Sequence, residues 1–300
     1  MVSLSLRINK NKYIIFYLLF LENFLYKVSL IFSLSDIRLS GLFFGLKNLI
    51  NEMRKRIIIP DIHFNFDWVK EILKKENPDE VICLGDYFDS YDKTLGCSRE
   101  KFEELAFDPR VTLLLGNHDY HYLDISCDGH YSGYSRETEC KISGILSKLW
   151  KEKKIQIIYI DFINQIIYSH AGVSDSWMST YNLDLLQVNQ VCYENPDYLR
   201  FTYRDGGDNS GSSKFNSPIW IRPGSLRKDG YQLGNPCVTW NQVVGHTPSD
   251  SPSVIRPRED SVRYDFIDCS QRSYRVEIID EVSKTIKKVI YETDFREHYR

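Results

Sequence analysis

Positive charge is not in surplus in this chain: 38 lysines and arginines stand against 41 aspartates and glutamates, a formal net charge of -3. Without a basic footprint, stable nucleic-acid binding by bulk electrostatics is not expected. Cys-x-x-Cys pairs are absent too. The seven cysteines, at 83, 97, 127, 140, 192, 237 and 269, are scattered and odd in number. Neither a zinc knuckle nor a disulfide framework follows from that, and a reducing, cytoplasmic compartment is expected. Repeats and low-complexity tracts are lacking, as is an unbroken apolar run of the roughly 20 residues that a membrane span requires. Residues 13–21 come nearest, but Glu22, Asn23 and Lys27 interrupt them. Methionine is scarce, at three, and Met53 stands directly before the first strand-like run. Residues 1–52, dominated by Leu, Phe, Ile, Asn, Lys, Tyr and Ser, read as translated AT-rich upstream sequence. We expect an N-terminal extension over 1–52 with Met53 as the physiological start, and a single catalytic domain over 53–300. A membrane anchor within 13–34, or a signal peptide ending near Ser33-Leu34-Ser35, is the alternative.

What the chain does have is a series of oxygen and imidazole donors, each placed just after a buried-strand pattern. Asp61-x-His63 follows Ile57-Ile58-Ile59, and Gly85-Asp86-x-x-Asp89 follows residues 81–84. Gly116-Asn117-His118-Asp119 follows 111–115, Ser169-His170-Ala171-Gly172 follows 166–168, and Gly245-His246-Thr247 follows Val243-Val244. Side chains at the ends of adjacent strands converge on one point, which is how an α/β sheet builds a site. Donors of this kind bind hard-to-borderline divalent metals. Two buried carboxylates meeting there, Asp61 and Asp86, repel each other unless a cation lies between them.

These five motifs resemble the successive signatures of the calcineurin-like metallophosphoesterases, over roughly residues 54 to 290. Gly85-Asp86-Tyr87-Phe88-Asp89, His170-Ala171-Gly172 and Trp220-Ile221-Arg222-Pro223 look most like the phosphoprotein-phosphatase branch. The resemblance implies an α/β fold of two packed mixed β-sheets flanked by helices, a four-layer α/β/β/α sandwich. It also implies a pair of divalent metal ions, Mn2+ foremost with Fe or Zn as alternatives, and a substrate that is a phosphoprotein or a small phosphoester. Asp61, His63 and Asp86 would hold the first metal, and Asp86, Asn117, His170 and His246 the second. His118 would be the general acid, oriented by Asp89, while Asn117 and Arg222 would contact the substrate phosphate. The implied reaction is phosphomonoester hydrolysis by metal-activated hydroxide, including serine/threonine protein phosphatase activity. A small-molecule phosphodiesterase, a dinucleoside tetraphosphatase and a non-catalytic scaffold of the same fold are the competing readings. Two departures stand out. Pro248 occupies the place of the second histidine in Gly-His-x-His, and Ser90 that of a phosphate-clamping arginine, whose bidentate geometry serine cannot reproduce. His121, His130 and His298 match no motif and are expected to be bystanders. Asp119 fits a side chain that orients a metal ligand or a loop-stabilising acceptor equally well.

Coarse elements follow from periodicity and punctuation. Asn65 is placed to cap a helix over 66–76, ended by Asn77-Pro78, and 98–106 reads as a second helix. Ile142, Ile145, Leu146, Leu149 and Trp150 share one face of a third. Residues 155–160 and 165–168 read as a hairpin around Asp161-Phe162-Ile163. Residues 204–217 read as a polar loop, with a substrate-facing lid as the sharper alternative. Strands are expected over 264–267, 275–279 and 285–291, the last two as a hairpin.

Overall fold

The computed structural model describes residues 53–90, 92, 94–123, 131–201, 212–229, 240–256 and 262–293. The expectations for residues 1–52, for His130 and for His298 lie outside the described residues.

In chain order the elements are β1 (Met53–Ile59), α1 (Phe66–Glu76), β2 (Glu80–Cys83), α2 (Arg99–Ala106), β3 (Val111–Leu114) and α3 (Asn117–Tyr120). Then come α4 (Arg136–Lys151), β4 (Ile155–Gln156), β5 (Ile158–Asp161), β6 (Ile166–Ser169), α5 (Asp175–Thr180), α6 (Val188–Glu194) and α7 (Pro223–Asp229). The end of the chain supplies β7 (Asn241–Val244), β8 (Ser253–Ile255), β9 (Tyr264–Phe266), β10 (Ser273–Asp280) and β11 (Ile286–Thr293). A six-stranded sheet runs β11-β10-β1-β2-β3-β4 and a five-stranded sheet β5-β6-β7-β9-β8. In the first, β1 to β4 are parallel while β10 and β11 are antiparallel. In the second, β6, β7 and β9 are parallel between antiparallel edges. Both sheets are therefore mixed.

Strand alternation explains the layers, since successive side chains point to opposite faces. Ile58, Ile82, Leu84 and Leu114 pack with Ile166, Tyr168, Val243 and Ile267, forming the core between the sheets. Their neighbours Ile57, Ile59, Val81, Cys83 and Leu113 face the helices, where Trp68, Val69, Phe102, Ile142 and Leu146 cover them. Behind the second sheet, Leu226 of α7 packs on Val244, Tyr264 and Phe266. The result is the α/β/β/α order that the resemblance implies. Polar N-terminal side chains start the helices: Asn65 Oδ1 accepts from Trp68 N at 3.2 Å and Ser98 Oγ from Lys101 N at 3.3 Å. Each satisfies a backbone donor that the first helical turn leaves free.

Between the sheets lies a buried ionic cluster. Arg56, on the same face of β1 as Ile58, reaches Glu80 and Asp161 at 2.8 Å each and Glu277 at 3.3 Å. Arg275 meets Glu277 at 2.7 Å and also Asp265. These bonds tie β1, β2 and β10 to β5 and β9 across the interior.

Two sequence expectations change. The run 155–160 is not one strand: Ile155–Gln156 closes the first sheet and Ile158–Asp161 opens the second. At the crossing, Asn189 Oδ1 accepts from Ile157 N at 2.8 Å and Ile158 N at 3.0 Å. Asn189 Nδ2 donates to Ile158 O at 2.8 Å, so the buried backbone stays paired while it leaves one ladder for the other. The hairpin itself stands, as β5–β6. The loop 204–217 is described only from 212 onward, and there it is packed. Ser213, Asn216 and Ser217 are buried, and Ser174 Oγ donates to Lys214 O at 2.7 Å. Short polar side chains find backbone partners there, which their composition alone does not reveal. Among the described residues no helix is long and apolar enough to cross a membrane.

Candidate active site

The five motifs meet at the ends of β1, β2, β3, β6 and β7. Asp86 O accepts from Ile62 N (3.0 Å) and His63 N (2.8 Å), joining the loop after β1 to the loop after β2. Asp119 fixes the next junction, its carboxylate accepting from Asp86 N and Tyr87 N at 2.8 Å and Gly116 N at 2.9 Å. Its role as a loop-stabilising acceptor follows. Four of the expected site residues have left-handed backbones: His63 (φ 46°), Asp86 (51°), Asp89 (59°) and His246 (66°). Strain of this kind, about 1–3 kcal/mol each, persists only where surrounding structure enforces it and concentrates at functional sites. At two places a glycine leaves room for a site carboxylate. A Cβ on Gly116 would come within 2.1 Å of Asp86 Oδ1, and one on Gly245 within 2.5 Å of Asp61 Oδ1.

Asp61, His63 and Asp86 form one cluster of potential ligand atoms, and Asp86, His170 and His246 a second, within 4.8 Å in each. Asp86 belongs to both. In each aspartate one oxygen is occupied by a backbone donor: His246 N to Asp61 Oδ1 and His118 N to Asp86 Oδ1, both at 2.9 Å. The other oxygens turn inward, Asp61 Oδ2 lying 3.8 Å and Asp86 Oδ2 4.0 Å from His63 Nε2.

The histidine tautomers follow from their outer partners. His170 Nδ1 donates to Leu84 O (3.0 Å), His246 Nε2 to Trp220 O (3.1 Å) and His63 Nδ1 to Asp89 O (2.5 Å). Burial lowers the pKa of His170 to about 4 and that of His246 well below its ordinary value. Both rings are neutral at pH 7, as ligation demands. Their remaining nitrogens then present lone pairs to each other at 3.0 Å, with Asn117 Oδ1 2.9 Å and Asp86 Oδ2 3.4 Å from His170 Nε2. Acceptors converging with no hydrogen between them repel until a cation takes the middle. Carboxylate repulsion adds to this: burial, then the charges of Asp268 and Asp86, push the Asp61 carboxyl well up. The residues fit bound divalent metal.

His118 stands beside the first cluster, its ring 5.4 Å from that of His63, and its Nδ1 lies 3.1 Å from Asp89 Oδ2. Arg222 Nη1 donates to His246 O and Thr247 Oγ1 at 3.1 Å each, so the arginine rests on the last motif. Ser90 Oγ, next in the chain to Asp89, accepts from Asp92 N at 3.1 Å.

The sequence profile of calcineurin-like phosphoesterases matches residues 55–279. The chain belongs to that family. It is a phosphoric ester hydrolase, and the profile spans every motif that builds the clusters. No curated protein sequence matches this phosphoesterase significantly. Among solved structures, a cold-active protein tyrosine phosphatase superposes with a TM-score of 0.50 at 19% identity, covering 81% of this chain and 79% of that one. A protein serine/threonine phosphatase from Saccharomyces cerevisiae gives 0.47 at 14% identity, with 82% and 81% covered. A metallophosphoesterase from Sphaerobacter thermophilus gives 0.45 at 15%, with 81% and 88% covered. At 19% identity the first of these likenesses is one of fold alone.

Two residues of the calcineurin-like phosphoesterase escaped the sequence reading. Asp268 is buried beside Asp61 and follows β9 by two residues, so the strand-end rule that found the five motifs applies to it as well. His121, expected to be a bystander, is not one: its Nε2 lies 2.8 Å from Asp89 Oδ2 and its side chain is fully buried. It sits in no recognisable spacing, because the contact depends on how the chain turns after α3.

Proposed function

We propose that this protein is a dinuclear-metal phosphoesterase that hydrolyses phosphomonoesters, with phosphorylated proteins as the foremost substrate class. The observation that carries this reading is the pair of ligand clusters sharing Asp86, with a histidine–carboxylate pair alongside. Asp61, His63 and Asp86 would hold one ion, and Asp86, Asn117, His170 and His246 the other. Mn2+ is the leading candidate, with Fe and Zn also suited to an Asp/His/Asn donor set. When bound, the pair supplies Lewis acidity toward the phosphoryl oxygens and an activated water.

The chain's own groups do the rest. Asp89 engages His118 at Nδ1, which leaves Nε2 to carry the proton for the departing alkoxide. Burial alone would lower the pKa of His118, but the charges of Asp86 and Asp89 outweigh it and raise it. The imidazole therefore holds its proton to higher pH than a free one does. Asn117 and Arg222 flank the second cluster and are assigned to the substrate phosphate. The free thiols of Cys83, Cys97, Cys140, Cys192 and Cys269 support a reducing, cytoplasmic location.

Ser90 favours a second reading. With the branch's clamping arginine replaced, a dianionic monoester loses a bidentate partner, which suits a phosphodiester or dinucleoside polyphosphate better. Hydrolysis of p-nitrophenyl phosphate beside bis-p-nitrophenyl phosphate, after chelation and again with manganese restored, separates the two. Manganese-dependent turnover mainly of the monoester supports the phosphatase. Turnover mainly of the diester contradicts it.

A further inference from the structure

Asp89 has more donors than a simple histidine–carboxylate pair requires. Its Oδ2 lies 3.1 Å from His118 Nδ1 and 2.8 Å from His121 Nε2, while its Oδ1 accepts from Tyr122 Oη at 2.5 Å. Tyr122 is fixed in turn, because its hydroxyl accepts from Ser135 N, at the start of α4, at 3.0 Å. His121 is held by rings on several sides: Tyr122 at 4.3 Å and Tyr134 at 5.6 Å edge-on, with Tyr131 stacked at 6.2 Å. It is a rigid imidazole with no solvent exposure, and Asp89 is the polar group it meets. At 2.8 Å from a carboxylate oxygen the nitrogen must carry its hydrogen on that side, but the approach lies off the N–H axis, so the two meet in close contact and not in an aligned hydrogen bond. A fully buried ring wedged against that oxygen restricts its movement.

We propose that His121 is a positioning residue for proton donation: it pins the Asp89 carboxylate so that the oxygen facing His118 cannot rotate away. The inference rests on the reading of His118 as general acid. Tyr122 holds one carboxylate oxygen and His121 the other, leaving His118 to take its geometry from a carboxylate with no freedom of its own. The substrate never touches His121. Its effect therefore appears where proton donation limits the rate, with poor leaving groups, and not in binding.

The test compares kcat on p-nitrophenyl phosphate, a good leaving group, with kcat on phenyl phosphate, a poor one, in the manganese-loaded full chain. His118→Asn is the reference and should lose far more on phenyl phosphate. His121→Phe keeps the volume and removes the donor. We expect kcat on phenyl phosphate to fall about tenfold and on p-nitrophenyl phosphate about twofold at most, with KM unchanged. His121→Gln, which returns an N–H donor, should recover most of the loss. If the phenylalanine variant does not fold, His121→Met fills the space without a donor and gives the same comparison. Equal losses on both substrates, or no rescue by glutamine, beside a selective loss in His118→Asn, overturn the role of His121 alone. No selectivity in His118→Asn overturns the general-acid reading and this inference together.

Discussion

At the scale of single residues, the site depends on how closely backbone approaches carboxylate. Gly116 leaves 2.1 Å between Asp86 Oδ1 and the place where a Cβ would stand. No side chain fits there unless Asp86 moves, and Asp86 is the residue common to both clusters. Gly116→Ala should therefore weaken metal binding at both positions by about 10–100-fold, the usual range for disturbing a ligand's support. Manganese titration followed by calorimetry, with circular dichroism to confirm the fold, measures this. The residues of the five motifs could be read directly, since each motif follows an apolar run and carries donor chemistry. His121 and Asp119 could not be assigned in the same way. Their partners, Asp89 and the backbone of 86 and 87, lie about 30 positions distant in the chain, and one sequence records no such meeting.

At the scale of elements, periodicity succeeded where helices are long and amphipathic. The helices 66–76 and 98–106 were found to within a residue, Asn65 and Ser98 acting as their caps. Shorter pieces such as α5, α6, α7 and β8 left no usable signal, because one or two turns do not complete a hydrophobic stripe. The division of 155–160 between two sheets was invisible for a different reason: an apolar run looks the same whichever ladder it joins. Asn189 settles it by pairing both donors at the crossing. Asn189→Ala leaves Ile157 N, Ile158 N and Ile158 O without partners, and we expect a loss of about 2–4 kcal/mol in urea unfolding. Asn189→Asp keeps the acceptor for the two N–H groups and should cost less. An equal loss in both variants would show that the amide's packing, not its hydrogen bonding, matters.

At the scale of the molecule, the two sheets are joined by apolar packing and by the cluster around Arg56. Burial raises the pKa of Asp161, but hydrogen bonds from Arg56 and Asn164 outweigh it and hold the carboxyl below its usual range. A depressed folded-state pKa stabilises the native chain above the unfolded value, near pH 4, and that contribution disappears as pH falls through the folded value. The stability gap between wild type and Asp161→Asn should thus be full at pH 7 and shrink below about pH 4. A gap that stayed constant down to pH 3 in denaturant titrations would contradict this account. The layer order came from the family resemblance of the motifs, while the strand-end site was visible in the sequence because it rests on buried-strand runs followed by donor residues. The ionic cluster was not, because Arg56, Glu80, Asp161 and Glu277 span most of the described chain.

The central claim is that Asp86 serves two metal ions at once. Metal analysis of manganese-loaded protein by inductively coupled plasma mass spectrometry tests it most directly, on wild type, His63→Ala and Asp86→Ala. The account predicts about two ions per chain, about one, and close to none, in that order. One ion in the wild type, or an Asp86→Ala variant that keeps one ion firmly bound, would contradict it.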